Sequence, residues 1–330
     1  MNILYTCDNN YVWIMGISMI SLFENNKTIE DLNVYLLGDR ISEENKEILQ
    51  DIALRYSRKC FIIDTPKLNI PEVLCSKRWP ISAFTRLFAG ELLPKDLDKI
   101  LYLDCDTIVN DNINEIWDVN VKKNVFFGVK DCISKTYKKN IGLEDDSIYV
   151  NAGVLLMNLK ELRKIDVAKA IEDYLSKYTN YINYADQDIL NGIFSETMGV
   201  LDPEYNVMTL LAEYEYKHIL DLRFPTNYYS KEEIYLAVKE PKIIHYTTCM
   251  LSIRPWFSNS KHPYINEFNK YMNMSIWSNR ELEVYKFNTK ESRVLESISR
   301  LPRDMEVKLL GIIHAGLKPM YIRAMAKMKG

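Results

Sequence analysis

No apolar run in this 330-residue chain is long enough to cross a bilayer, which takes about 20 such residues in a helix. The longest, "YVWIMGISMISLF" at 11–23, follows Asp8 and lacks the basic segment that opens a secretory leader. It reads as a buried helix, and the chain as soluble or peripheral. There is no basic excess: 42 Lys and Arg face 45 Asp and Glu, for a net charge of -3. No global positive field attracts nucleic acid, and none is expected as a partner. Six cysteines (Cys7, Cys60, Cys75, Cys105, Cys132 and Cys249) are scattered without a C-x-x-C pair. That pattern argues against a zinc or disulfide framework and reads as reduced thiols in the cytoplasm. No glycine-rich dinucleotide fingerprint follows the first strand, which disfavours a nicotinamide enzyme. Internal repeats and low-complexity segments are lacking too.

What is present is a strand–helix alternation over a chain that is 47% hydrophobic. Strands are expected at 2–7, 32–39, 59–64 and 99–104. Helices are expected at about 11–26, at 42–57 with Ser42 as N-cap, and at 81–94, where Pro94 stops the chain. This order predicts an α/β fold with a parallel, doubly wound sheet, whose ligands sit at the carboxyl ends of the strands. Asp8 and Asp104 both end predicted strands and should meet there. Further strands are expected at 125–131 and 149–159 on the same sheet, helices at about 166–178 and 186–195, and a late strand at 242–247.

The chemistry gathers around "KILYLDCDTIVND", residues 99 to 111. Asp104 and Asp106 alternate on an extended segment, so they share a face. Two hard carboxylates suit Mg²⁺ or Mn²⁺, with the remaining positions commonly filled by a substrate phosphate. A bare D-x-D is common, and its position at a strand end is what singles this one out. His245, one of only four histidines, ends the apolar run "KIIHY". An imidazole beside two carboxylates favours Mn²⁺ over Mg²⁺, although a lone His is more often a hydrogen-bonded core residue.

Taken together, the chain resembles glycosyltransferase family 8, which includes bacterial lipopolysaccharide galactosyl- and glucosyltransferases and glycogenin. The resemblance rests on six pieces in family order: "TCDNNY", "SAFTRLFAGELLP", "KILYLDCDTIV", "YVNAGVLLMNL", "NYADQDILN" and "KIIHYT". It implies a GT-A fold, a UDP-sugar donor, Mn²⁺, and retention of anomeric configuration. By the same resemblance Asp104, Asp106 and His245 hold the metal. Asp8, Asn10 and Tyr11 receive uracil and ribose. Arg86, Asn151, Ala152 and Asp186 contact the donor sugar, and Gln187 lies near its reacting face. Asp188 is chemically the better nucleophile. Asp186 and Asp188 also suit the N-cap and first turn of the helix "DQDILNGIF".

The chain departs from the family in one place. The family has His-x-x-Gly-x-x-Lys-Pro-Trp after the late strand, and here the text is "HYTTCMLSIRPWF". Thr248 stands in place of the glycine, and Arg254 in place of the lysine, nine residues after His245 instead of six. An arginine there can grip a diphosphate bidentately. Two rival readings remain: a haloacid-dehalogenase-like phosphotransferase using Asp104 as nucleophile, and a non-catalytic UDP-sugar or carbohydrate-binding protein. For the acceptor the family implies a saccharide or lipid-linked saccharide of a surface polysaccharide.

Charge is unevenly spread. Residues 292–330 hold eight Lys/Arg and three acids, net +5, which leaves -8 for the rest of a chain whose total is -3. The expected division is a catalytic unit at 1–280 and a helical basic extension at 281–330. Val294, Leu295, Ile298 and Leu301 form one helical stripe, and a last helix can start at Pro319. Such a segment is expected either to bind an anionic membrane, on the inner face of the plasma membrane, or to pack on the catalytic unit with its basic edge in water.

Overall fold

The structure, a computed structural model, describes residues 1–66 and 82–329. Cys75 and the first residue of the expected 81–94 helix lie outside the described residues.

Seven strands form the main sheet: β1 Asn2–Asp8, β2 Asn33–Asp39, β3 Lys59–Asp64, β4 Lys99–Leu103, β6 Phe126–Lys130, β7 Val150–Asn158 and β8 Met198–Val200, with β5 Thr107–Val109 lying elsewhere. Their order is β3-β2-β1-β4-β7-β6-β8. All run in one direction except β7, which pairs antiparallel with both β4 and β6. The sheet is therefore mostly parallel, as expected, with one reversed strand in fifth place. Helices Val12–Asn25 and Glu43–Arg55 cross between the first strands, the second capped by Ser42, whose hydroxyl accepts from the Asn45 N–H. The apolar run at 11–23 is indeed a buried helix: eleven of its residues are buried, so it is apolar all round.

Side chains alternate between two cores, one on each face. Ile3, Tyr5, Leu101 and Leu103 join one, and Leu4, Ile100 and Tyr102 join the other. On β7 the alternation breaks. Val150 and Ala152 face the second core, Val154 and Leu156 the first. A regular strand would put all four on one face. The flip falls at Gly153, where the register against β6 also jumps, from Gly128↔Leu155 to Lys130↔Val150. This bulge falls at Asn151 to Gly153, all three buried, where β7 meets the ends of its neighbours.

Two expectations need correction. The 81–94 segment is not one helix: Ser82–Thr85, a 3₁₀ turn at Arg86–Phe88 and Ala89–Leu92 follow one another. Nor do Asp104 and Asp106 share an extended strand. The chain turns between them, leaving β4 and entering β5, which belongs to a second, three-stranded sheet. There β5 pairs antiparallel with β10 Ile243–His245, and β10 pairs with β9 Val207–Met208.

After residue 280 the chain runs without regular structure to Lys290. Helices Lys290–Ile298, Arg303–Gly311 and Lys318–Lys329 follow, the last two joined by a π-helical stretch. Val307 and Leu310 are buried in the first core. Gly311 abuts the helix Tyr216–Arg223 so closely that an added Cβ would overlap the Asp221 carbonyl oxygen. The extension is thus packed against the catalytic elements.

Candidate active site

The crevice lies where β1 and β4 end and the second sheet begins. The register of β5 against β10 sets His245 opposite Thr107, and the Tyr246 N–H donates to the Asp106 carbonyl at 2.9 Å. That pairing brings His245 to the two carboxylates across 139 residues of sequence. His245 Nε2 lies 3.3 Å from Asp106 Oδ1 and 3.6 Å from Asp104 Oδ2. One ligand atom from each of Asp104, Asp106 and His245 falls within 4.8 Å of the others. The donors are two hard oxygens and one imidazole nitrogen, a set that suits Mn²⁺ or Mg²⁺.

Surrounding groups orient these ligands. His245 Nδ1 is 2.9 Å from Asn206 Oδ1, which fixes the proton on Nδ1 and leaves the Nε2 lone pair facing the carboxylates. Asn206 is itself held: its Nδ2 donates to Asn151 Oδ1 at 2.9 Å. Asp104 accepts from the Tyr102 hydroxyl and pairs with Arg86 Nη1 at 2.9 Å, while its N–H donates to the Gly153 carbonyl. A Cβ on Gly153 would come 2.1 Å from His245 Cε1 and 2.9 Å from Asp104 Oδ2. Only glycine leaves room here for the His245 ring beside Asp104, and the donor set of the three residues fits a divalent ion.

Arg254 enters the same site despite its longer loop. Its Nη2 lies 3.1 Å from Asp106 Oδ2, its Nη1 donates to the Tyr11 hydroxyl at 3.3 Å, and its Nε donates to the Tyr246 carbonyl. Burial raises the Asp106 carboxyl, but the neighbouring His245 and the Arg254 guanidinium outweigh it and hold it at about 2. Tyr11 is therefore at the crevice. Asp8 ends β1 and spends one oxygen on the N–H groups of Asn10 and Tyr11. That turn fixes Asn10, which is exposed.

Gln187 is pinned at both ends of its amide. Its Oε1 accepts from Asn151 Nδ2 and from the Ala152 N–H, each at 3.1 Å, and its Nε2 donates to Asp131 at 2.9 Å and to the Tyr149 hydroxyl at 3.2 Å. Asp186 is buried 3.1 Å from Arg86 Nε, yet no aligned hydrogen-bond donor reaches its Oδ2. Burial pushes its carboxyl up to about 6, against the opposing pull of Arg86.

Asp188 does not reach the crevice. It is fully buried, and its two oxygens accept from the Tyr137 and Tyr149 hydroxyls and the N–H groups of Asn183 and Tyr184. A carboxylate satisfied four times over closes the start of the helix Ala185–Phe194 and is no nucleophile. Asp186 makes no cap there. Sequence reasoning missed Tyr102, Asp131, Tyr149 and Asn206. Only Asn206 left a signal, an amide set between Tyr205 and Val207, which the fold then buries fully.

The family profile described as Glycosyl transferase family 8 matches residues 2–260. The chain belongs to this family. It is 31% identical over 216 residues to a putative glycosyltransferase of Haemophilus influenzae, across 62% of this chain and 63% of that protein. It is 28% identical over 287 residues to a lipopolysaccharide 1,2-glucosyltransferase of Escherichia coli, across 84% and 79%. The solved galactosyltransferase LgtC, in complex with donor and acceptor sugar analogs, matches with a TM-score of 0.68 at 26% identity and covers 89% of this chain and 100% of that one. This family-8 chain is accordingly a sugar transferase of GT-A fold, and the phosphotransferase reading falls. Asp104 agrees: it is held by Arg86 and Tyr102 and is not poised as a nucleophile.

Proposed function

We propose that this glycosyltransferase moves a hexose, glucose or galactose, from a UDP-sugar to a saccharide or glycolipid acceptor, with Mn²⁺ and with retention of configuration, in surface polysaccharide synthesis. The observation that carries the reading is the convergence of Asp104, Asp106 and His245, flanked by Arg86 and Arg254. A divalent ion on those three ligands would supply Lewis-acid stabilisation for a departing diphosphate. Arg254, already bonded to Tyr11, sits where it can exchange Asp106 for a phosphate oxygen while Tyr11 stacks on uracil. Asp186 pairs with Arg86 Nε at 3.1 Å, and the two together would face the donor sugar. Asn151 and Ala152 stand beside Gln187, whose fixed dipole would stabilise positive charge at the anomeric carbon. A screen of UDP-sugars by mass spectrometry, with Mn²⁺ and then with EDTA, tests the reading. Turnover of UDP-glucose or UDP-galactose lost on chelation is expected. Binding without any turnover would leave a carbohydrate-binding protein, and an inverted linkage by proton NMR would end the retaining assignment.

The same reading places the enzyme at a membrane through its extension. No helix among the described residues is long and apolar enough to span one. Met305, Leu309, Ile312, Met320 and Tyr321 are exposed, and the basic Lys308, Arg323 and Lys327 are exposed among them. Val307 and Leu310 pack inward, so one helix does both jobs. Each basic group near an anionic surface contributes about 1 kcal/mol. Replacing Lys308, Arg323 and Lys327 together by Glu should abolish co-sedimentation of the full chain with anionic liposomes at low salt. Equal partitioning of the two forms, or no preference for anionic over neutral lipid, would exclude this attachment.

A further inference from the structure

Beside Gln187 lies a cavity of about 150 Å³, lined among others by Asp131, Asn151, Tyr184, Arg223, Thr247 and Thr248. Asp104, Asp106, Tyr11 and Arg254 are not in its wall, so it adjoins the ligand cluster without containing it. A water takes up about 30 Å³ of liquid, so the space holds on the order of five, room for one sugar ring.

Two charged groups line it, and their situations differ. Asp131 is used up: its Oδ1 accepts from the Cys132 N–H at 2.7 Å, and its Oδ2 from Gln187 at 2.9 Å and Asn151 at 3.4 Å. Arg223 is held by neutral groups alone. Among the described residues no carboxylate forms an ion pair with its guanidinium. The groups it touches are the neutral Tyr184 hydroxyl and Cys249 thiol, and Asp131 acts on it only through space. A guanidinium carries five donors in a planar fork, and two neutral neighbours cannot occupy them.

Its placement is also held at a cost. Arg223 ends the helix Tyr216–Arg223, and Phe224 after it is left-handed at φ 47, ψ 48. A bulky aromatic adopts that conformation only where its surroundings enforce it. Attraction to the helix C-terminus explains a basic residue in the last turn. It does not explain why the cation lines a cavity next to Gln187 instead of facing open water.

We propose that Arg223 selects, in this cavity, acceptor saccharides that carry an anionic group, a carboxylate or a phosphate. This rests on the glycosyltransferase reading above, because it takes the cavity at Gln187 as the place of the attacking sugar. A neutral acceptor would leave the guanidinium's spare donors desolvated and unpaired. An anionic one gives charge-assisted hydrogen bonds, about twice as strong as neutral ones.

The test uses the full chain with Mn²⁺ and UDP, titrated calorimetrically with four probes: methyl galactoside, methyl galacturonate, the methyl ester of that galacturonate, and methyl galactoside 6-phosphate. The wild type should bind the uronate or the phosphate at least about tenfold more tightly than the two neutral probes. Which of the two is preferred identifies the anion. Arg223→Gln should erase the preference, Arg223→Lys should keep part of it, and added salt should weaken it. Melting curves check that both variants are folded. Equal affinity for charged and neutral probes, binding of none of them, or an unchanged preference in Arg223→Gln would overturn the proposal. Binding of UDP and Mn²⁺ by the wild type is titrated alongside. Its absence would count against the UDP-sugar reading itself, whatever the probes show.

Discussion

Asp106→Ala should lower kcat/KM for sugar transfer by at least about a thousandfold, because on the proposed reading it removes a metal ligand and an anchor in one change. Asp106 is the carboxylate on which two side chains of the site converge, His245 with Nε2 at 3.3 Å and the Arg254 guanidinium with Nη2 at 3.1 Å. Without it Arg254 keeps its bonds to Tyr11 and to the Tyr246 carbonyl but loses the charge that sets its height in the crevice. The fold should survive. The backbone carbonyl of residue 106 still accepts from Tyr246, and the β5–β10 pairing starts at Thr107. Asp106→Asn should be nearly as inactive, since it keeps the shape and loses the charge. Steady-state rates across a Mn²⁺ titration, with melting curves alongside, provide the check. A variant within tenfold of wild type, or one whose residual rate ignores Mn²⁺, would remove Asp106 from the metal site.

The parts of the site that were legible in the sequence are those carried by local pattern. Strand alternation gave the main sheet and placed Asp104 at a strand end. Ser42 followed by acids gave a helix start that the structure keeps. The D-x-D was legible as a pair but for the wrong geometric reason. Its residues converge because the chain changes sheets between them, and that depends on a partner strand 139 residues away. Asp186 and Asp188 show a second limit. Two residues apart on a helix they point about 200° apart, so one meets Arg86 and the other is locked among tyrosines. Nothing local says which is which. Asn206, Tyr149 and Asp131 were missed because their chemistry is to hold other side chains, and those contacts reach across 38 to 56 positions of sequence. Arg86 was expected at the donor sugar, and the structure adds that it bridges Asp104 and Asp186.

Gly153→Ala should silence the enzyme nearly as completely while changing no charged or polar side chain. Gly153 has an ordinary backbone conformation, so the effect is one of space and not of strain. Its place at the β7 bulge turns the hydrogen where a Cβ would stand toward His245, and the built Cβ falls 2.1 Å from Cε1, 2.7 Å from Nδ1 and 2.9 Å from Asp104 Oδ2. None of these neighbours is free to yield. His245 is tied to Asn206, Asp104 to Arg86 and Tyr102. The imidazole must swing away, and Nε2 leaves the two carboxylates. A loss of about a hundredfold or more in kcat/KM is expected, with a matching loss of Mn²⁺ affinity, since displacement of about 1 Å costs that much at a positioned site. Gly128→Ala is the control. Its Cβ would press on Val150 and Leu155 in the second core and touch no ligand. That variant should melt earlier and yet keep its Mn²⁺ dependence unchanged. If Gly153→Ala instead behaves like Gly128→Ala, with stability lost and Mn²⁺ affinity intact, then the space beside His245 and Asp104 is only packing and the metal does not lie between them.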